Sequence, residues 1–143
     1  MILRIKKKDG AVLPEYETGG AAGLDLRAFL DTDITLPPSG RCKIPTGLFP
    51  EIEPGYEGQV RPRSGMAIRS GITVLNSPGT IDSDYRGELE VILINTGSEP
   101  YTIKNNDRIA QLVITPVIKA EILEVTSLGE TKRGAGGFGS TGK

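Results

Sequence analysis

Histidine is absent from this chain of 143 residues. Its absence removes the commonest general base, the commonest metal ligand, and the Ser-His and Cys-His nucleophile systems together. Any proton transfer here falls to a carboxylate, and any metal is expected to be a hard cation held by oxygen, such as Mg²⁺. Cysteine is nearly absent too. Cys42 stands alone, which excludes an intramolecular disulfide and a cysteine-cluster metal site, and a small core hydrophobe is its expected role. Net charge is −1, from 17 Lys and Arg against 18 Asp and Glu. No long basic run exists, so nothing argues for binding a nucleic acid polymer by counterion release. The run Lys6-Lys7-Lys8 is short and reads as a solvated strand end. No apolar stretch approaches membrane-spanning length and no signal peptide is expected before the first strand. No membrane partner is expected, and cytoplasmic residence is.

What is present is punctuation. Glycine and proline recur every eight to twelve residues, with β-branched residues filling the gaps. Strands are expected over Leu3–Ile5, Leu24–Ala28, Ile34–Leu36, Cys42–Ile44, Leu48–Glu51 and Tyr56–Arg61. Further strands are expected over Ile72–Leu75, Glu88–Asn95, Tyr101–Ile103, Arg108–Val117 and Ile122–Val125. This spacing reads as an all-β antiparallel sandwich or barrel. The only helical piece is a turn or two at Ser64–Arg69. One domain of ordinary size is expected over 1–126, with 127–143 a flexible, polar, glycine-rich C-terminal arm. An arm of that kind is costly unless it docks, which suggests an oligomer in which it reaches a neighbour.

Four segments of the body carry candidate chemistry. In Ala22–Ala28, Leu24, Leu26 and Ala28 alternate with Asp25 and Arg27, so the polar pair shares one strand face. That pair is either a surface ion pair or a carboxylate facing a cation-bearing site. In Pro62–Ala67, Ser64 either caps a short turn or joins Arg63 and free N–H groups, with Gly65, as an anion site. Asn76–Gly87 reads as a hairpin with backbone donors and acceptors at its base and the Asn76 amide beside them, the kind of arc that recognises a pyrimidine edge. Asp82 precedes Tyr85 by three, so both can face one cavity. Alternatively, Asp82 and Asp84 satisfy local N–H groups in a turn. In Asp107–Leu112, strict alternation puts Gln111 on the face of Ile109 and Val113, where its amide needs a partner, structural or a phosphate oxygen.

The last eleven residues, Arg133–Lys143, set one cation, one aromatic ring and two hydroxyls in a backbone made mostly of glycine. Phe138 is too little apolar surface to hold the segment in a core. The composition suits a lid over a ligand with a polyanionic end and a flat apolar end, such as a nucleotide. A solvated terminus is the other reading. Gly134, Gly136 and Gly139 also satisfy G-x-G-x-x-G, and Gly137 to Lys143 nearly completes a P-loop pattern. Neither is expected to act as such, because no Ser or Thr follows Lys143 and no helix is expected for the loop to open.

The segments Ala22–Ala28, Pro62–Ile72, Gly79–Leu89, Asp107–Leu112 and Arg133–Gly142, in this order, resemble the five motifs of the trimeric dUTP pyrophosphatases (dUTPases). The resemblance implies a jelly-roll-like β fold and a homotrimer with three sites at subunit interfaces. It also implies Mg²⁺-assisted cleavage of dUTP to dUMP and pyrophosphate, which keeps uracil out of DNA and supplies dUMP for thymidylate synthesis. Asp82 then resembles the carboxylate that activates water and touches the sugar 3′-hydroxyl. Tyr85 resembles the tyrosine packed under deoxyribose that leaves no room for a 2′-hydroxyl. Asn76, with backbone groups of Gly79, Thr80 and Ile81 and with Glu90 across the hairpin, would read uracil, too tightly for a thymine methyl. Arg63, Ser64, Gly65 and Gln111 would hold phosphates. Asp25 would be an outer-sphere acid holding metal-bound water, and Arg108 a structural ion-pair partner. Phe138 would stack on uracil while Arg133, Gly139, Ser140 and Thr141 close on the β and γ phosphates. Met66 and Arg69 stand where leucine and lysine are common in that family. A dCTP deaminase, sharing the fold but without such a tail, and a non-catalytic trimeric binding module are the rival readings.

Overall fold

The computed structural model describes residues 1–137. Its strands are β1 (Arg4–Lys7), β2 (Leu24–Arg27), β3 (Ile34–Leu36), β4 (Arg41–Pro45), β5 (Leu48–Glu51) and β6 (Tyr56–Arg61). After the helix α1 (Ser64–Ser70) come β7 (Ile72–Val74), β8 (Gly79–Ile81), β9 (Glu90–Asn95), β10 (Tyr101–Ile103) and β11 (Arg108–Pro116). All pairings are antiparallel. The larger sheets run β2-β11-β6-β8 and β4-β9-β7, and the pairs β1-β5 and β10-β3 flank them. Neighbours far apart in sequence interleave, giving a jelly-roll-like sandwich.

Period-two alternation explains the core. Leu24 and Leu26 of β2, Val60 of β6 and Leu112 of β11 share one buried cluster with Ile44, Val91, Leu93, Ile72 and Val74 of the other sheet. Alternation fails at one informative place. The β2–β11 register shifts between Arg108 and Ala110, and Ile109 and Ala110 are both buried. This bulge takes Ile109 off the face that Gln111 shares with Val113, contrary to the expected phase.

The helix is as short as expected, and its end is fixed by backbone. Gly71 caps it in the left-handed region at φ 66°, and a Cβ there would sit 2.5 Å from the Gly97 nitrogen. Both the Thr96 N–H and the Thr96 hydroxyl donate to the Gly71 carbonyl. Beside that contact Asn95 is fully buried. Its amide donates to the carbonyls of Leu36 and Glu99 and its oxygen accepts from Gly97 N–H. Asn95→Ala strands these groups away from water. At fixed protein concentration it should lower unfolding free energy by about 3 kcal/mol in denaturant titrations. A loss below about 1 kcal/mol would show that the network carries little.

Two expectations about elements change. Gly79–Ile81, read as the base of a hairpin, is itself a strand paired with β6. Ile122–Val125 is not a strand. A strand needs a ladder partner, and none of the described residues offers one there. The last strand ends at Pro116. Beyond it Ile118 and Ile122 are 95% and 94% exposed, and Leu123 and Leu128 lie open as well.

Candidate active site

One cluster forms where β2, β11 and β6 lie side by side, with Asp25 opposite Gln111 and Gln111 opposite Arg61. Asp25 is only 8% exposed. Its carboxylate is shared by Arg108, at 3.1 Å, and Arg63, at 3.5 Å. Arg108 also pairs with Glu17 at 3.1 Å, as the resemblance implied for a structural ion-pair residue. Arg63 donates from Nη1 to the Arg108 carbonyl, while its buried Nε makes no hydrogen bond among the described residues. Asp25 is thus neither on a solvated face nor unpaired; it is the anion on which two guanidinium groups converge. Gly23, Asp25, Arg61, Arg63, Arg108 and Gln111 line one concavity of about 440 Å³.

Gly23 is a requirement that the sequence did not announce. A Cβ there would lie 2.6 Å from the Gln111 oxygen, so the amide lies against a bare backbone. Gln111 is half-buried, and its amide makes no hydrogen bond among the described residues. Ser64 does not cap α1: Arg63 occupies the cap position, without a side-chain cap bond. Ser64 is the first helical residue and is exposed. As first-turn residues, Ser64 and Gly65 have no intrahelical acceptor for their N–H groups. The Arg69 guanidinium lies over Gly65, 3.0 Å from where its Cβ would be.

The second cluster forms around β8. Asn76 packs its amide against Gly79, 3.3 Å from a Cβ position there, and Gly79 is buried while Thr80 is exposed. Past Ile81 the chain turns, with Tyr85 N–H donating to the Asp82 carbonyl. Arg86 staples the turn from outside by donating to the carbonyls of Ser83 and Tyr85. The carboxylates of Asp82 and Asp84 accept no hydrogen bond and join no ion pair among the described residues. The turn therefore holds itself without them. Tyr85 is 41% exposed and donates its hydroxyl to the Glu88 carbonyl at 2.9 Å. Its ring lies over Gly87, where a Cβ would approach Tyr85 Cζ to 2.5 Å. Gly87 is a second glycine whose role sequence reasoning missed. Glu90 pairs with Lys43 at 2.7 Å. That hydrogen bond and charge raise the Lys43 ammonium above its ordinary pKa.

The two clusters do not meet within one chain. Asp82 lines a separate concavity with Glu57, Tyr56 and Lys119. Ile81 pairs with Gly58, so Asp82 is level with Glu57. Arg61 stands four residues further along β6, roughly 13 Å away at the rise of a strand. In the arm, Arg133 donates from Nε to the Gly136 carbonyl and sits in a turn closed by Gly136 N–H. Phe138, Gly139, Ser140 and Thr141, and the lid expected of them, lie outside the described residues.

The chain as a whole has counterparts among known proteins. The family described as dUTPase matches residues 9–142. The deoxyuridine 5'-triphosphate nucleotidohydrolase of Rhizobium etli (strain CIAT 652) is 57% identical over 143 residues, covering 99% of this chain and 92% of that protein. The enzyme of the same name from Nautilia profundicola is 58% identical over 144 residues, covering 100% of each. Among solved structures, the dUTPase of Staphylococcus bacteriophage 80alpha with dUPNHPP superposes with a TM-score of 0.89 at 26% identity, over 99% of both chains. The match runs through every segment that carries candidate chemistry, and this chain belongs to the dUTPase family.

Proposed function

We propose that the protein hydrolyses dUTP to dUMP and pyrophosphate, with Asp82 as the base. Water attacks the α-phosphorus, its proton passes to the Asp82 carboxylate, and the bond from the α-phosphorus to the β-bridging oxygen breaks. Pyrophosphate leaves with that oxygen. The observation that carries this assignment is an exposed carboxylate free of partners among the described residues, on a turn that does not need it. With no histidine in the chain, a carboxylate is the available base. Carboxylates are modest bases, so positioning and charge neutralisation carry much of the rate.

Each remaining residue has a task set by its chemistry. Asn76, with the backbone of Gly79, Thr80 and Ile81, presents the donors and acceptors that read uracil, and Glu90 closes the hairpin. Tyr85, pressed onto Gly87 and tied to the Glu88 carbonyl, is a fixed wall under deoxyribose that excludes a 2′-hydroxyl. Arg63, Ser64, Gly65 and Gln111 hold phosphate oxygens. Phe138 stacks on the base, and Arg133, Gly139, Ser140 and Thr141 close on the outer phosphates.

The described residues hold no group of three acidic, histidine or cysteine side chains able to cage a metal. Mg²⁺ suits such a site, because it keeps several waters and takes oxygen from substrate phosphates. Asp25 would hold one of those waters. When bound, the ion offsets the charge of the triphosphate. Asp25 itself orients Arg63 and Arg108 at the edge of the phosphate site.

The assembly is a homotrimer with sites at subunit interfaces. The separation of Asp82 from the Arg63–Gln111 cluster supports this, since one chain alone does not close the site. The open apolar residues after Pro116 support it as well. No helix of the described residues is long and apolar enough to cross a membrane, and we assign the protein to the cytoplasm.

Incubation with dUTP, dCTP, dTTP or UTP and Mg²⁺, followed by product identification, tests the assignment. Pyrophosphate and dUMP are expected from dUTP, with little from the others. Ammonia from dCTP would instead mark a deaminase, and no turnover would mark a binding module.

A further inference from the structure

The concavity beside Gln111 contains a guanidinium, that of Arg61, with no carboxylate within ion-pair distance among the described residues. Gly58 and Val60 of β6 turn toward the core, which leaves Glu57, Gln59 and Arg61 on the opposite face. There they form a relay. Glu57 Oε1 accepts from the Thr115 hydroxyl at 3.2 Å and from Gln59 Nε2 at 2.7 Å. Gln59 Oε1 then accepts from both Nε and Nη2 of Arg61, at 3.1 and 2.5 Å. An amide oxygen orients a guanidinium but leaves its charge whole.

Its neighbours are differently placed. Arg63 and Arg108 are committed to Asp25, Arg108 also to Glu17, and Arg63 to the Arg108 carbonyl. Of the guanidinium groups lining this concavity, Arg61 is the one with no carboxylate within ion-pair distance among the described residues. It is exposed, and it lies directly across the ladder from Gln111. A fixed, uncompensated guanidinium beside an amide without a hydrogen-bond partner is suited to a phosphate group, which it can grip through two parallel N–H donors.

The geometry points to Arg61 as a further phosphate-binding residue, one that holds the outer phosphates of the triphosphate and then the departing pyrophosphate. The inference rests on the proposed dUTP hydrolysis and adds a residue to it. The division of labour is that Arg63 holds phosphate from the turn before α1 while braced by Asp25 and the Arg108 carbonyl, and Arg61 adds a charge that no carboxylate of the described residues pairs with. Thr115, Glu57 and Gln59 keep that side chain from wandering.

Pyrophosphate and dUMP, each measured as an inhibitor of dUTP turnover, separate the outer phosphates from the rest of the nucleotide. In R61A the inhibition constant of pyrophosphate should rise about tenfold or more. That of dUMP should stay within about twofold, and KM for dUTP should rise. R61K should recover part of the pyrophosphate affinity, having charge without the fork. Unchanged pyrophosphate inhibition in R61A overturns the inference, and so does an equal loss for pyrophosphate and dUMP. A smaller assembly in sedimentation overturns it too, because Arg61 would then be an interface residue. If R61A is not recovered folded, R61Q is read by the same measurements. Wild-type protein that makes no dUMP defeats the proposed function itself; active wild type with an indifferent R61A defeats only this assignment.

Discussion

Asp82→Asn should lower kcat for dUTP by about 10²–10⁴-fold, the usual contribution of a positioned general base. Affinity for a non-hydrolysable dUTP analogue should stay within about threefold. The substitution keeps the shape of the side chain and removes its ability to take a proton. It should not perturb folding, because the Asp82 carboxylate is exposed and has no partner among the described residues. The turn is held instead by the Asp82 carbonyl, which accepts from Tyr85 N–H, and by Arg86. The check is single-turnover kinetics beside analogue titration. Substantial remaining turnover would remove Asp82 from the role of base. Weakened analogue binding with unchanged kcat would recast it as a binding residue.

Removing Ser127–Lys143 should leave a folded protein of unchanged assembly whose kcat/KM for dUTP falls about 10²–10⁴-fold. The body should survive because the final strand ends at Pro116 and, among the described residues, nothing beyond Ile114 packs on the buried cluster. The loss follows from the parts removed. Stacking of Phe138 on the base contributes roughly 1–3 kcal/mol. Charge-assisted bonds from Arg133 to the outer phosphates contribute about 1.5–3 kcal/mol. Each 1.36 kcal/mol or so of transition-state stabilisation is tenfold in rate. Thermal unfolding and sedimentation establish that the body is intact, and Phe138→Ala in the full chain isolates the ring. Normal turnover by the truncated protein would reduce the segment to an ordinary terminus.

Much of the fold was legible because a half-buried strand writes its own period. Leu24, Leu26 and Ala28 against Asp25 and Arg27 announced β2, and glycine and proline marked the turns between strands. Local signals failed where a distant partner decides. Ile122–Val125 has the residues of a strand and no ladder to join. Gly79–Ile81 is only three residues long and opens on a glycine, and it pairs with β6 because Gly58, Gln59 and Val60 are there to receive it. The bulge at Ile109 is equally invisible to periodicity, since alternation extrapolates a register that the β2–β11 pairing interrupts.

The candidate site divides along the same line. Asp82, Tyr85 and the Arg63-Ser64-Gly65 turn were found as short motifs. Their surroundings depend on residues far away, as when Arg108 meets Asp25 across 83 positions. Nothing near Asp25 in sequence tells whether it faces water or two arginines. Arg61 was passed over for a related reason: its role is set by the partners it lacks, which only the assembled sheet reveals. The part played by Gly23 and Gly87 shows only in the fold, where Gln111 and Tyr85 lie on them.

The join between Gly71 and Gly97 has a consequence for how sequences like this one can drift. Helix α1 is anchored at its far end by main chain against main chain, with Thr96 donating to the Gly71 carbonyl. The side chains that reach this join are polar, the Thr96 hydroxyl and the Asn95 oxygen, so exchanging one aliphatic core residue for another elsewhere has little leverage over it. The two glycines themselves admit almost no replacement. Mutational tolerance should therefore be sharply uneven: broad in the sandwich interior and close to nil at these two positions. The turn at Ser64 can keep its place while much of the interior changes identity.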